Sequence, residues 1–589
     1  MLDRIILFSI RNKLIIALST VALIIWGVYS AFQLPIDAVP DITNNQVQVL
    51  TRSPSLAAQE IEQLITFPVE TALATIPERE EIRSFSRFGL SVVTIVFKED
   101  IDIYWARQQV AERIKEAQTQ IPQSIGTPEL APVTTGLGEI YQYVLQPKKG
   151  FEKRYSLMEL RTLQDWIVRR RLLGTEGVAD ISSFGGHLKQ YEIALDPDRL
   201  RALNISIREV FTALERNNQN SGGAYIDKQP QAYFIRTEGL ARSTDDIEKI
   251  AVKTSPQGIP VLLRDVAKVQ LGSAIRYGAM TRTIPNEPNG EVVGGLVLML
   301  KGENSSKVIA NVKARIEEIQ ASLPEGVEII PFLDRTKLVN NAITTVATNL
   351  AEGALIVVCV LVLFLGNIRA GLIVASAIPL SLLFALALMN VFGVSGNLMS
   401  LGAIDFGIIV DGAVIIVEAT LHHLHNRINP TLMTQTEMDE EVYYSASKIR
   451  SSAAFGEIII LIVYFPILAL VGVEGKMFRP MAQTVAFAIA GAFILSLTYI
   501  PMMSALVLSK NIDNKPTIAD RMMMRLQRWY SPSLAWALRR KALIVSGAVV
   551  LFLMATALFL TMGGEFIPTL DEGDFAVETR TIIGSSLSH

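Results

Sequence analysis

Residues 403–419 read AIDFGIIVDGAVIIVEA, a run with the apolar content of a membrane helix that nevertheless carries Asp405, Asp411 and Glu418. A carboxylate near the centre of a bilayer costs roughly 2.5 to 3.5 kcal/mol on the mildest scale, so three in one span need a compensating role. On a continuous helix Asp411 and Glu418, seven residues apart, turn through about 700° and share a face, while Asp405, six residues before Asp411, lies roughly 120° away. Such acids must look into a bundle or toward water. Burial disfavours the charged form of a carboxyl, so a group of this kind can bind and release a proton near neutral pH and change its energy in the bundle as it does so. The chemistry this spacing allows is a proton switch.

Other polar groups are weaker candidates. Glu457, seven residues beyond Arg450, reads as a hydrated residue near the inner end of a span, and Glu352 as its outer counterpart. The tract His422, His423, His425 follows the acid-bearing run and reads as a flexible loop without the partner spacing of a metal site. The single cysteine, Cys359, excludes a disulfide framework or a thiolate cluster within one copy. No HExxH, glycine-rich phosphate loop or Ser/His/Asp grouping points to hydrolysis or ATP. A net charge of −3 gives no global basic field for nucleic acid.

The acids need a bundle around them, and the chain supplies one. Half of its 589 residues are hydrophobic and 19% are charged, too apolar for an ordinary soluble domain and too mixed for membrane helices alone. Residues 14–36 carry no charge and exceed the roughly 20 needed to cross as a helix; no small-residue cleavage site follows the preceding RNK, so the span is expected to be retained. Residues 370–404 are too long for one crossing, and VFGVSGN in their middle provides the turn for two. With 345–366, 458–473, 481–509 and 542–564 the expectation is seven spans, the acid-bearing one being the fourth. Basic residues such as Arg4, Arg11, Lys13, Arg369, Arg427 and Lys448 fall on one side if the N-terminus is inside, whereas the loop between spans five and six has only Lys476 and Arg479. The positive-inside rule then places 34–338 outside.

That outer region reads as α+β. NNQVQVLTR, LAAQEIEQLITFPVETALATI, LSVVTIVFK and IYWARQQVAERIKEAQTQI give the strand and helix order of a split βαβ, ferredoxin-like unit. A second set is expected from EIYQYVLQP, SLMELRTLQDWIVRRRLL, GVADISSFG and KQYEIALD, completed after a strand-rich insertion by VVGGLVLMLK and SSKVIANVKARIEEIQASL. A repeat is also visible: Arg11, Lys13, the apolar run behind them and Pro40 recur 528 residues later as Arg539, Lys541, a second apolar run and Pro568. On this reading the chain enters a second copy without completing it.

LPIDAVPDITNNQVQV after the first span, DIYWARQQV, DFGIIVDGAVIIVE in span four and GGEFIPTLDEGD after span seven resemble the heavy-metal branch of the resistance-nodulation-division (RND) exporters, of the cobalt-zinc-cadmium type. The resemblance implies an α-helical polytopic membrane protein with a large periplasmic α+β, ferredoxin-like porter region, of an RND-type fold here truncated. The implied parts are 1–36, the N-terminus and first span; 37–135, a first porter subdomain; 136–338, a second with a docking region inserted at about 195–275; 339–564, spans two to seven; and 565–589, the start of a second porter module. It implies a homotrimer in the inner membrane of a Gram-negative bacterium, working with a periplasmic membrane-fusion (adaptor) protein and an outer-membrane channel, without nucleic acid and without a cofactor.

The resemblance further implies that Asp405, Asp411 and Glu418 carry protons and pair with a lysine of the second repeat; no lysine lies in the core of any span here. The implied activity is not enzymatic but proton-coupled antiport of divalent cations, with Cu(I)/Ag(I) export or multidrug-type export as the alternative. Copper and silver members carry a methionine four residues after the Asp of EGD, where this chain has Glu578. A carboxylate suits Zn, Co, Ni or Cd better than Cu(I), which needs sulfur. Glu578, with Glu572, Asp574 and Asp571, is therefore the candidate site for the transported metal ion.

Overall fold

Apolar segments in lipid must pair every backbone group internally and so fold as helices. The computed structural model describes residues 2–563 apart from 38–39, 123–124, 255–257, 277, 284–289, 426–432 and 511–517. Among the described residues six helices are long and apolar enough to cross a membrane: Lys13–Gln33, Arg335–Leu365, Ile368–Val391, Met399–His425, Gly472–Leu497 and Lys541–Thr561. The count reaches seven when the bent pair Gln435–Ile449 and Ala454–Leu468, inclined by 46°, is taken as one crossing. Two boundaries differ from the sequence reading. Span five begins at Gln435, because the polar stretch before Ile458 continues the same helix. Span six begins at Gly472, so Lys476 and Arg479 lie in its first turns rather than in a loop. Partners explain how charge is tolerated there: Lys476 Nζ donates to the Thr43 carbonyl at 2.6 Å and pairs with Glu99 at 2.7 Å, and Arg479 Nε donates to the Leu468 carbonyl.

The chain divides into two compact units, one formed by residues up to Gly138, Leu300–Lys307 and the described residues from Arg335 on, the other by Glu139–Met299 and Val308–Asp334. In the first unit, the Lys476 contacts put the start of span six at the end of the bundle where the soluble part lies. At the opposite end Lys13 pairs with Asp439 at 2.7 Å and Ser447 donates to Asp3 at 2.7 Å, so the N-terminus and the polar half of span five share the other side.

The soluble part of this unit is a four-stranded sheet of β1 (Gln46–Arg52), β2 (Arg79–Arg87), β3 (Leu90–Phe97) and β4 (Pro128–Leu130), in the antiparallel order β2-β3-β1-β4. Val47, Val49 and Thr51 of β1 point inward and its glutamines less so, the period-two pattern of a half-buried strand. Ile61, Ile65, Val69 and Val110 from the two covering helices close the core over Ile95 and Phe97.

The second unit repeats the arrangement with β5 (Glu139–Pro147), β6 (Val178–Phe184), β11 (Val293–Met299) and β12 (Val327–Asp334), in the order β12-β5-β11-β6. KQYEIALD does not join this sheet, although the sequence reading expected it to. It forms β7 (Lys189–Leu195), which pairs with β10 (Ala267–Ser273) in the inserted region. The reason is local: Gly185 and Gly186, at φ 69° and 65°, turn the chain away after β6 in a conformation that disfavours other residues. The insertion thus begins at Lys189 rather than near 195. It has its own small core of Leu200, Val210, Leu263 and Val266. Its hairpin, β8 (Ser221–Lys228) with β9 (Gln231–Thr237), is exposed along its whole length, Phe234 to 82%.

The repeat seen in sequence has a backbone counterpart. Helix Leu2–Arg11 breaks at Asn12 (φ −111°, ψ 55°) before span one; helix Ile518–Arg539 breaks at Arg540 (φ −113°, ψ 44°) before span seven. Both spans have 21 residues and end in an extended residue, Leu34 or Met562.

Candidate functional site

Span four is built in two pieces. Asn397 caps a short helix, Leu398–Gly402, accepting the N–H of Ser400 at 2.8 Å, and a second helix runs from Phe406 to His425. Asp405 therefore sits at the break and not on a continuous helix, so the 120° relation to Asp411 does not apply. Its carboxylate accepts the N–H of Gly407 at 2.8 Å, a cap at the positive end of the helix dipole. It also lines a cavity of about 540 Å³ with Asn349, Gly353 and Val357 of span two, spacious enough for several waters.

Asp411 and Glu418 share the exposed face of this helix. The opposite face, with Ile409, Val410, Ala413, Ile416 and Val417, packs into the common core of the bundle. Neither acid has a hydrogen bond or ion pair among the described residues. A face carrying two acids is untenable against lipid, so it requires protein or water that the described residues do not provide.

A fourth acid belongs to the site. Glu457 is only 6% exposed, not the hydrated end residue its distance from Arg450 implied. Its carboxyl lies against Gly412, the neighbour of Asp411: a Cβ built on that glycine would stand 1.7 Å from Glu457 Oε1. The signal available in sequence was the glycine directly beside an acid, with larger residues at most other positions of the helix. Glu352 is exposed on span two.

The histidine tract is helical, not a flexible loop. His423 Nε2 lies 2.7 Å from Glu441 of span five and its ring packs on Tyr444, while His425 Nδ1 is 2.9 Å from the Leu421 carbonyl. Thr420 and Ser445 add a contact at 3.3 Å. The His423 and Thr420 contacts fasten the end of span four to span five, while the His425 contact stays within span four. No group of three or more His, Cys, Asp or Glu that could hold a metal occurs among the described residues. Glu578, Glu572, Asp574 and Asp571 lie outside them.

Apolar spans around an acid-bearing fourth helix, with two split βαβ folds inserted after the first span, define a polytopic membrane protein. The chain belongs to the AcrB/AcrD/AcrF family, whose sequence profile matches residues 5–589. It is 44% identical over 598 residues to the cobalt-zinc-cadmium resistance protein CzcA of Cupriavidus metallidurans, covering 100% of this chain and 55% of that protein. It is 39% identical to the nickel-cobalt-cadmium resistance protein NccA of Alcaligenes xylosoxydans xylosoxydans, covering 100% of this chain and 56% of the relative. The crystal structure of a heavy metal efflux pump, in its crystal form II, superposes with a TM-score of 0.82 at 35% identity, covering 96% of this chain and 53% of that one. The chain spans about half the length of the curated relatives it matches.

Proposed function

We propose that the complete gene product exports divalent heavy-metal cations of the Zn, Co, Cd and Ni class in exchange for protons. The observation that carries this reading is the acid face of span four, Asp411 with Glu418, in a family chain similar to proteins named for resistance to these metals. A helix that presents two acids inside a membrane can change charge by taking up a proton, and the bundle around it must respond. Asp405, open to the cavity beside span two, supplies an entry for water-borne protons. In this reading the membrane is the inner membrane of a Gram-negative cell, and both βαβ units are periplasmic porter subdomains that meet an adaptor and an outer-membrane channel.

The functional unit proposed is a homotrimer. The fully exposed β8–β9 hairpin, with Tyr225, Ile226, Tyr233 and Phe234 on its surface, offers an apolar surface that a second copy would cover. Replacing 221–237 by a short Gly/Ser turn is expected to shift the complete protein from trimer toward monomer in detergent, read by mass photometry. An unchanged trimer would remove the hairpin from the interface.

The choice of cation rests on Glu578. A thioether is a poor ligand for hard or borderline divalent ions, so Glu578→Met should weaken zinc and cobalt tolerance of a strain carrying the complete gene at matched expression. Unchanged tolerance to zinc, cobalt, nickel and cadmium would take Glu578 out of the cation path.

A further inference from the structure

We propose that Glu457 is a second proton-binding carboxyl of the span-four site, seated in the notch left by Gly412 and exchanging its proton with Asp411. The proposal rests on Asp411 being a proton carrier. Glu457 comes from span five, and both of its carboxyl oxygens are closed off from solvent with no hydrogen-bond partner among the described residues. Buried polar groups are nearly always paired, so such a carboxyl calls for a reason.

The notch is made by three elements. On span four, Gly412 leaves empty the volume that any side chain would fill: its Cβ would fall 1.7 Å from Glu457 Oε1 and 2.9 Å from the carboxyl carbon. On span six, Ser496 Cβ is 3.4 Å from the same point, but its hydroxyl is donated to the Phe493 carbonyl at 2.8 Å and is not offered to Glu457. Asp411 is the residue next to the notch, one position before Gly412 on span four. An ion in this place lacks every donor that ordinarily offsets burial. The site suits a carboxyl that carries its proton.

The two carboxyls share no hydrogen bond, so the exchange runs through water: the O–H bond of the Glu457 carboxyl breaks as a water molecule takes its proton, and an O–H bond forms on the Asp411 carboxylate as water gives one up. The single negative charge of the pair thereby moves from the exposed face of span four into the contact of spans four, five and six. Net charge is unchanged. A bare charge at that contact is disfavoured until the helices part enough to hydrate it. Proton transfer between the two acids thereby becomes a change in helix packing, the coupling an antiporter needs.

The test uses the complete protein in proteoliposomes with zinc as the probe. Glu457→Gln is expected to lower transport ~10-fold or more, the size of effect typical of losing one proton-transfer group, and to flatten its dependence on pH, with assembly and zinc binding unchanged. Gly412→Ala, whose methyl would displace the carboxyl, should change the rate in the same direction. Infrared difference spectra over a pH step should show a protonated-carboxyl band that is lost in Glu457→Gln and altered in Asp411→Asn. A wild-type rate and pH profile in Glu457→Gln, beside an inactive Asp411→Asn, would overturn the proposal and leave the relay standing. Wild-type transport in Asp411→Asn would overturn both. If Glu457→Gln does not assemble, Glu457→Asp carries the test: a displaced pH profile supports the transfer, and an unchanged one overturns it.

Discussion

Asp411→Asn in the complete gene product is expected to abolish export while leaving a folded, inserted protein. The amide keeps the shape of the acid, which here sits on an exposed face and supports no hydrogen bond among the described residues, but it cannot bind and release a proton. Each 100 mV of membrane potential is worth about 2.3 kcal/mol per charge moved, and 1.4 kcal/mol is tenfold. Uncoupling one charge therefore removes about 50-fold from the cation gradient the pump can sustain. Metal-dependent growth and counterflow in proteoliposomes read this directly. Wild-type resistance would sink the relay assignment. Glu418→Gln, two turns away toward the histidine end, should be milder. Asp405→Asn keeps an acceptor for the Gly407 N–H, so it separates the cap from any proton that Asp405 carries.

The second large effect is structural. Spans one and three touch where a side chain is missing: a Cβ on Gly27 would lie 2.6 Å from Leu383 Cβ and 2.8 Å from the Leu383 carbonyl oxygen. In lipid there is no hydrophobic drive between helices, and close backbone approach through small residues does much of the work of association. Gly27→Leu cannot be accommodated without parting the two spans, so most of the folded protein should be lost, as read by size-exclusion profile and resistance to limited proteolysis. Gly27→Ala should fall between. Val28→Leu, at a 41% exposed neighbour, should be silent. A normal yield of Gly27→Leu would mean that the two spans do not meet here.

Much of this was legible in the residues, and the reasons are physical. Spans are readable because lipid leaves a chain few options, and β1 was readable because QVQVLTR alternates as a strand with one buried face. The acid face followed from the seven-residue spacing of Asp411 and Glu418, because a helix repeats nearly every seven residues. What failed depended on contacts distant in sequence. KQYEIALD has the pattern of a strand, but which sheet it joins was decided by the glycine turn after β6. Lys476 looked like a loop residue until its partners at Thr43 and Glu99, distant in sequence, were in place. Glu457 looked like an interface residue because charge density along the chain, not packing across it, is what a sequence displays.

The uncovered acid face also bears on how the protein is made. Spans one to six leave the ribosome before anything encoded further along, and span four must then enter the membrane with Asp411 and Glu418 facing outward from its own neighbours. Lipid is a poor surround for that face. Span four is therefore expected to stay beside water or protein until its acid face is covered, so the same acids that are proposed to power transport bear on when the nascent chain can be released into the bilayer.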